Sequence, residues 1–283
     1  MKKAEEAKSK QGYFFEELTK EHLAIKFIKE YEPEEGYFVG FSGGKDSVVV
    51  LDLVQRAGVK YQAYYSATGI DPPEVVRFIN DYYPYVIHKR PNWHEHKSFF
   101  GMLPEVGVPT RISRWCCTKL KKDPTKKIPL PHRIMGLRAE ESSARAKRGQ
   151  ISYFKSMKQW LYKPIFSWLE WEIWDYIESN NLPYCKLYDE GFSRLGCVVC
   201  PFLCGKNQSQ IERNRTKWPK HYVAFEKAMK RRWDMKESKN ITSEEGYATT
   251  FEEFLYNWYY SVSISKKKQQ KEDAIVMDLY IGE

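Results

Sequence analysis

The spacing of apolar and polar positions reads as strands alternating with helices. Residues 14–31 bring Phe14, Leu18, Ile25 and Ile28 near one helical face, and the stretch 32–36, with Pro33 inside it, ends that helix. The apolar and aromatic run 37–41 predicts a buried strand. Ser42, Gly43 and Gly44 break the pattern. Residues 46–56 then resume at helical spacing through Val48, Leu51 and Val54 until Gly58. Residues 60–66, 85–88 and 133–137 predict further strands, and Pro72-Pro73 opens a helix between the first two of these. Residues 139–149 read as helical. Ser167 and Glu170 form a capping box that opens a helix over 168–178, with Trp168, Trp171 and Trp174 expected against the core. The alternation predicts an α/β fold: a parallel sheet with helices on both faces. Three stretches follow: a helical extension over 1–36, an α/β domain over 37–180, and an irregular, cysteine-containing region over 181–283. No repeat of solenoid period is present. Residues 266–271 read as an exposed tail and 274–281 as a small strand.

Composition narrows the class. The 283 residues are 42% hydrophobic and 16% aromatic, too apolar for general disorder. No 18-residue apolar run offers a membrane span, and the first residues carry no apolar leader core. Six cysteines are too few for a disulfide scaffold. The expectation is a cytoplasmic protein with no membrane partner. Charge then changes the picture. The net charge is +9, yet residues 111–133 and 206–232 each carry +7, and each window adjoins a cysteine pair. Such windows are either solvated faces or sites for an anion: nucleotide phosphate, sulfate or a nucleic-acid backbone.

The sharpest chemistry lies between the first strand and the second helix, in Ser42-Gly43-Gly44-Lys45-Asp46-Ser47. Two glycines let the backbone turn tightly and approach a ligand. The following helix N-terminus offers unpaired N–H groups and a positive dipole to an anion. The crevice beyond the carboxyl end of a parallel strand is where open α/β sheets bind ligands. The spacing is neither that of a Walker A loop nor GxGxxG.

The second constellation is Cys116-Cys117 with Cys197-Val198-Val199-Cys200. Four thiolates in two pairs form a soft, metal-selecting set. Zinc takes cysteines two to four residues apart. Adjacent cysteines reach one small ion awkwardly, whereas an iron–sulfur cube offers four separate irons. The spacing favours a [4Fe-4S] cluster over zinc and over plain buried thiols. Cys185 and Cys204 are left over, Cys204 being the better candidate for a working thiol because it neighbours the second pair.

On these residues the chain resembles the phosphoadenosine phosphosulfate (PAPS) and adenosine phosphosulfate (APS) reductases of the adenine nucleotide α-hydrolase-like superfamily, which also holds the PP-loop ATP pyrophosphatases. The hexapeptide 42–47 is similar to the PP-motif, Thr68-Gly69 to the adenosine-side loop, and residues 136–145 to the G-x-R…S-x-x-R segment. Adjacent cysteines with a distant CxxC, and Pro164-Ile165 with Trp168, resemble the cluster-bearing branch. The likeness spans about residues 37–204. It implies that Ser42, Gly43, Gly44, Lys45, Asp46, Ser47, Thr68, Gly69, Arg138 and Arg145 hold ATP, PAPS or APS. The resemblance further implies that Asp46 lies near the phosphates or a Mg²⁺, that Lys45, Asp46 and Arg138 act in catalysis, and that Cys116, Cys117, Cys197 and Cys200 ligate the [4Fe-4S] cluster. An arginine just past a strand end also suits bidentate phosphate binding on its own terms.

The sequence departs from the reductases in one respect: their nucleophilic cysteine sits in a short motif near the C-terminus, and the last cysteine here is Cys204. The expected activity is therefore ATP cleavage at the α-phosphate, adenylating an acceptor for sulfur transfer. The acceptor is a nucleic acid or a small molecule, and a sulfur donor or thiol partner completes the reaction. The alternatives are PAPS or APS reduction with Cys204 or an external thiol, and a non-catalytic nucleotide-sensing or nucleic-acid-binding module. The last rests on the windows 111–133 and 206–232, particularly Lys206, Arg213, Arg215, Lys217, Lys220, Arg231 and Arg232 with Trp218 and Trp233 interleaved.

Overall fold

A computed structural model of the chain describes residues 19–91, 98–155, 157–205, 207–237 and 248–260. Phe14, Leu18, Lys206 and the segments 266–271 and 274–281 lie outside the described residues. Six strands form one sheet in the order β3-β2-β1-β4-β6-β5. They are β1 (Tyr37–Gly40), β2 (Tyr61–Ser66), β3 (Ile87–Lys89), β4 (His132–Met135), β5 (Ile151–Phe154) and β6 (Gln159–Tyr162). The pairs β1–β4, β4–β6 and β2–β3 are parallel, and only β5 runs antiparallel, against β6. The expected α/β class with a mostly parallel sheet is therefore observed, with a β5–β6 hairpin that the sequence pattern did not announce. No described helix is long and apolar enough to cross a membrane.

The chain divides into two compact units, one of the segments up to Phe41, Lys45–Ala63 and Pro129–Tyr184, the other of Ser42–Gly44, Tyr64–Ile128 and the residues from Cys185 on. In the first unit, α1 (Lys20–Glu30) and α2 (Lys45–Ala57) pack together, as do α2 and α7 (Glu170–Ser179). The fully apolar stretch Val48–Leu51 is buried throughout, as expected of a helix laid against a sheet. Tyr37 donates its hydroxyl to Ile28 O at 3.0 Å, tying α1 to β1. The second unit contains α3 (Pro73–Tyr82), α4 (Phe99–Val106), α5 (Asp123–Lys126), α8 (Gln208–Lys217), α9 (Pro219–Glu237) and α10 (Phe251–Tyr260). Its core is aromatic: Phe99 stacks on Trp115 and Phe225, and Phe225 meets Trp258 at 4.5 Å.

Two local expectations need correction. The stretch 139–149 is not one helix. It is a 3₁₀ turn, Ala139–Glu141, followed by the four-residue α6 (Ser143–Ala146), because Ser142 adopts extended backbone and caps α6 through its hydroxyl. The helix expected from residue 168 starts at Glu170, where Glu172 accepts the Leu169 N–H at 2.7 Å. Trp168 is buried, but Trp171 is 63% exposed, since a spacing of three walks around a helix of 3.6 residues per turn.

Candidate nucleotide and thiol sites

The glycine loop begins where β1 ends. Gly43 has φ +72°, and a Cβ there would meet Val75 Cγ1 at 3.0 Å and Ile79 Cγ1 at 3.1 Å on α3. Both the backbone sign and the close approach demand glycine. The Gly44 N–H faces Ser42 Oγ at 3.4 Å. Tyr188 Oη stands 3.4 Å from the point a Gly44 Cβ would occupy. A tyrosine hydroxyl thus borders the loop.

The helix end of the hexapeptide is charged and ordered. Lys45, Asp46 and Ser47 open α2, and Lys45 and Ser47 are buried. Lys45 Nζ lies 3.1 Å from Glu170 Oε1. Arg138 Nε donates to Asp46 Oδ1 at 2.5 Å, and the same guanidinium pairs with Glu140. The approach depends on Gly136: a Cβ there would fall 2.7 Å from Asp46 O and 3.2 Å from Ser47 N. Only glycine lets the end of β4 seat against the first turn of α2 and bring Arg138 to Asp46. Of the residues expected at the anion, Lys45, Asp46 and Arg138 are thus gathered with the acids Glu140 and Glu170. Arg145 pairs with Glu141 within its own segment.

Thr68 is fully buried and closes a tight turn. Its N–H and hydroxyl both donate to Asp71 Oδ2, at 3.1 and 2.7 Å, and Tyr65 donates to the same oxygen at 2.6 Å. Gly69, at φ +76°, has open space where a Cβ would stand. The turn is joined to the second cysteine pair through the Val198 N–H, which donates to Ile70 O at 2.8 Å. Val198 O accepts from Asn214 Nδ2 at 3.0 Å and from Tyr222 Oη at 3.3 Å. The CxxC backbone is therefore fixed from both sides.

All six cysteines are free thiols. Cys116 and Cys117 lead into a π-helical turn, Cys117–Lys122, a wide form of helix frequent at functional sites. The two thiols share a hydrogen bond that keeps the proton on Cys116, whose titration is pushed up by that bond and by burial. The same bond, helped by Lys121, Arg114 and Lys122 against burial, brings Cys117 down to about 6. Burial lifts Cys197 to about 11, opposed by Lys121, which hydrogen-bonds it. The charges of Cys197 and Cys200 act on Cys116, and that of Cys117 acts on Cys200. The four thiols are thus one electrostatic group ringed by cations. Among the described residues, no three His, Cys, Asp or Glu side chains converge as a single-ion site requires. Four thiols in two electrostatically linked pairs are the soft donor type that an iron–sulfur cluster takes.

The second basic window does not form the aromatic and basic surface expected of it. Trp218 and Trp233 are buried, Trp218 donating to Glu74 Oε2 at 3.0 Å and Trp233 packing on Phe254 at 5.3 Å. Arg213 caps the carbonyls of Glu190 and Gly191 and lies 3.7 Å over the Phe192 ring. Arg215 pairs with Glu226, Lys217 with Glu190, and Arg231 and Arg232 donate to Phe100 O and Pro104 O. Lys220 alone of the described cations in that list is an exposed residue with no such role here. The reason is local: α8 and α9 need charge to close the carbonyl ends of the segments they pack against.

A profile of the phosphoadenosine phosphosulfate reductase domain matches residues 36–203. The chain belongs to that family. An uncharacterized protein of Methanocaldococcus jannaschii is 33% identical over 226 residues, covering 74% of this chain and 45% of the relative. A second protein of that organism is 30% identical, over 66% of this chain and 47% of its own length, so the chain spans less than half of each archaeal relative. An adenosine 5'-phosphosulfate reductase of Oceanobacillus iheyensis is 29% identical over 168 residues, 56% of this chain and 68% of that enzyme. Among solved structures, a PAPS reductase from Candida auris in its phosphate complex aligns over 64% of this chain and 89% of its own, with a TM-score of 0.49 and 19% identity. The chain thus contains a PAPS reductase-like nucleotide-binding domain.

Proposed function

We propose that this family member cleaves ATP between its α- and β-phosphates, adenylates an acceptor, and passes sulfur to it. Cys204 carries the choice between this reading and sulfonucleotide reduction. A reductase needs an accessible thiolate, whereas the Cys204 thiol is 2% exposed and held up at about 12 by burial and by the charge of Cys200. Cys185 is also buried, and burial raises it too. The other four thiols form the group described above.

In this reading Ser42, Gly43, Gly44 and Ser47 receive the phosphates through N–H and hydroxyl donors at the start of α2. Lys45 supplies positive charge to the leaving pyrophosphate. Asp46 offers the hard carboxylate oxygens that Mg²⁺ takes alongside phosphates. Arg138, which pairs with Asp46 and Glu140, would offer its guanidinium to a phosphate oxygen. An acceptor oxygen attacks the α-phosphorus, the bond to the β-phosphate oxygen breaks, and pyrophosphate leaves with the electron pair. A sulfur nucleophile from a donor then displaces AMP. Cys116, Cys117, Cys197 and Cys200 would hold the cluster, which when bound supplies an iron site for the incoming sulfur or a fixed tie between the two cysteine segments.

The test is product analysis under anaerobic conditions. ATP turned over to AMP and pyrophosphate, and lost in Ser42→Ala and Asp46→Ala with iron content intact, supports the reading. Sulfite released from PAPS or APS with thioredoxin, and no AMP from ATP, replaces it with reduction.

A further inference from the structure

We infer that the acceptor is a polynucleotide, docked through its phosphates on the exposed cations Arg111, Arg114, Lys122, Lys126 and Lys127 of the first basic window, of which Arg111 and Arg114 lie over Phe202. This deepens the adenylation and thiolation reading and rests on it for the reaction, though not for binding. Residues 111–128 carry seven Lys+Arg and one Asp. Arg111, Arg114, Lys122, Lys126 and Lys127 are exposed. Charge complementarity over so short a stretch calls for a densely anionic partner.

The apolar part of the same face selects among polyanions. Phe202 is 41% exposed and Ile112 95% exposed. The guanidinium groups of Arg114 and Arg111 lie over the Phe202 ring, at 4.9 and 5.8 Å from its centroid. Arg111 also donates to Cys204 O at 3.1 Å, which fixes one of the stacked cations on the loop that follows Cys200. A ring with ordered guanidinium planes is a platform for an unpaired base, which an acidic protein surface would have no use for. The platform also has a location. Arg114 stands two residues before Cys116, and Phe202 two residues after Cys200. A strand held there presents its bases at the rim of the thiol group, where sulfur would be delivered. In the second window, of equal charge, the rings under the arginines, Phe192, Tyr222 and Tyr259, are buried, so it offers no exposed stacking platform.

The experiment is fluorescence anisotropy of the anaerobic full-length protein with a fluorescein-labelled single-stranded RNA, titrated at several salt concentrations. About five phosphate contacts predict a slope of log K against log salt of about −3.5 for a single strand. The double variant Lys126→Glu/Lys127→Glu should reduce that slope by about 1.4 and weaken binding roughly tenfold or more at low salt. Phe202→Ala should weaken binding of the single strand more than that of a duplex of the same sequence. Lys220→Glu, on α9, should leave binding unchanged. Equal weakening by Lys220→Glu, or displacement of RNA by polyglutamate at matched charge, would overturn the proposal in favour of indiscriminate or protein-directed charge. ATP-to-AMP turnover is measured on the same samples. RNA binding without α-phosphate cleavage sinks the reaction and keeps the surface, whereas cleavage by a protein that binds no RNA sinks the surface alone.

Discussion

Residues 111–133, which contain Cys116-Cys117, and residues 206–232, which follow Cys200, have the same net charge, yet the fold uses them differently. In the second window five of the cations are fasteners. Arg213, Arg231 and Arg232 cap backbone carbonyls, Arg215 and Lys217 pair with acids, and both tryptophans are core. In the first window Lys121, Arg114 and Lys122 bias a thiol group, Arg111 and Arg114 lie over the exposed Phe202 ring, and Lys126 and Lys127 are exposed. Charge count is a property of composition, whereas partner choice depends on which carbonyls and acids the fold brings within reach. A charged window next to a reactive group therefore means nothing until its partners are known.

The sharpest break of this contrast is at the thiols beside the first window. Cys117→Ser and Cys197→Ser should each abolish iron binding, taking anaerobically purified protein from about four irons to near none, since a cubane needs each of its four cysteine ligands. Iron analysis and visible absorbance read the result. A colourless protein with one zinc ion, lost in the same variants, would show that the two pairs converge on a single ion after all.

Next in size is the claim that the second window is structural. Trp218→Ala removes a buried indole, its 3.0 Å bond to Glu74 and its packing on Phe192 at 5.4 Å. The expected loss is about 3–5 kcal/mol in urea unfolding. Arg213→Ala leaves two carbonyls without their charged donor and should cost about 1–3 kcal/mol. Lys126→Ala, in the first window, should change stability by no more than about 0.5 kcal/mol. Equal losses for Arg213→Ala and Lys126→Ala would erase the distinction between fastener and face.

Much of this was legible in the chain. The run 37–47 carries its own geometry: an apolar strand, a glycine that must take positive φ at residue 43, and a helix whose first turn holds Lys45 and Asp46. Gly136-Leu137-Arg138 stood out only through its resemblance to the G-x-R segment, and the structure supplies the physical reason, since only glycine permits the contact with Asp46. The β5–β6 hairpin was not legible, since its turn places Lys158, not glycine or asparagine, at φ 51°. Tyr188 was not, since a loop tyrosine has no periodicity to betray what it faces. The fate of Trp218 and of Arg213 was hidden as well. A tryptophan between cations reads as a stacking platform in one dimension, and only the path of α3, which brings Glu74 beneath it, turns it into core.

The smallest expected effect is a pH dependence within the second window. His221, at the start of α9, titrates below its ordinary 6.5 because burial disfavours its charged form, while Glu74 and Asp71 pull the other way without overcoming it. Above pH 6.5 the ring is neutral in both folded and unfolded chains, and its contribution to stability is complete. As pH falls below that value the unfolded chain takes up the proton first, so stability declines until the folded ring protonates too. Urea midpoints measured from pH 7.5 down to 5 should fall for the wild type and fall less for His221→Gln. If the two curves stay parallel, the ring is solvated rather than enclosed, and the second window is less thoroughly built into the fold than its arginines and tryptophans imply.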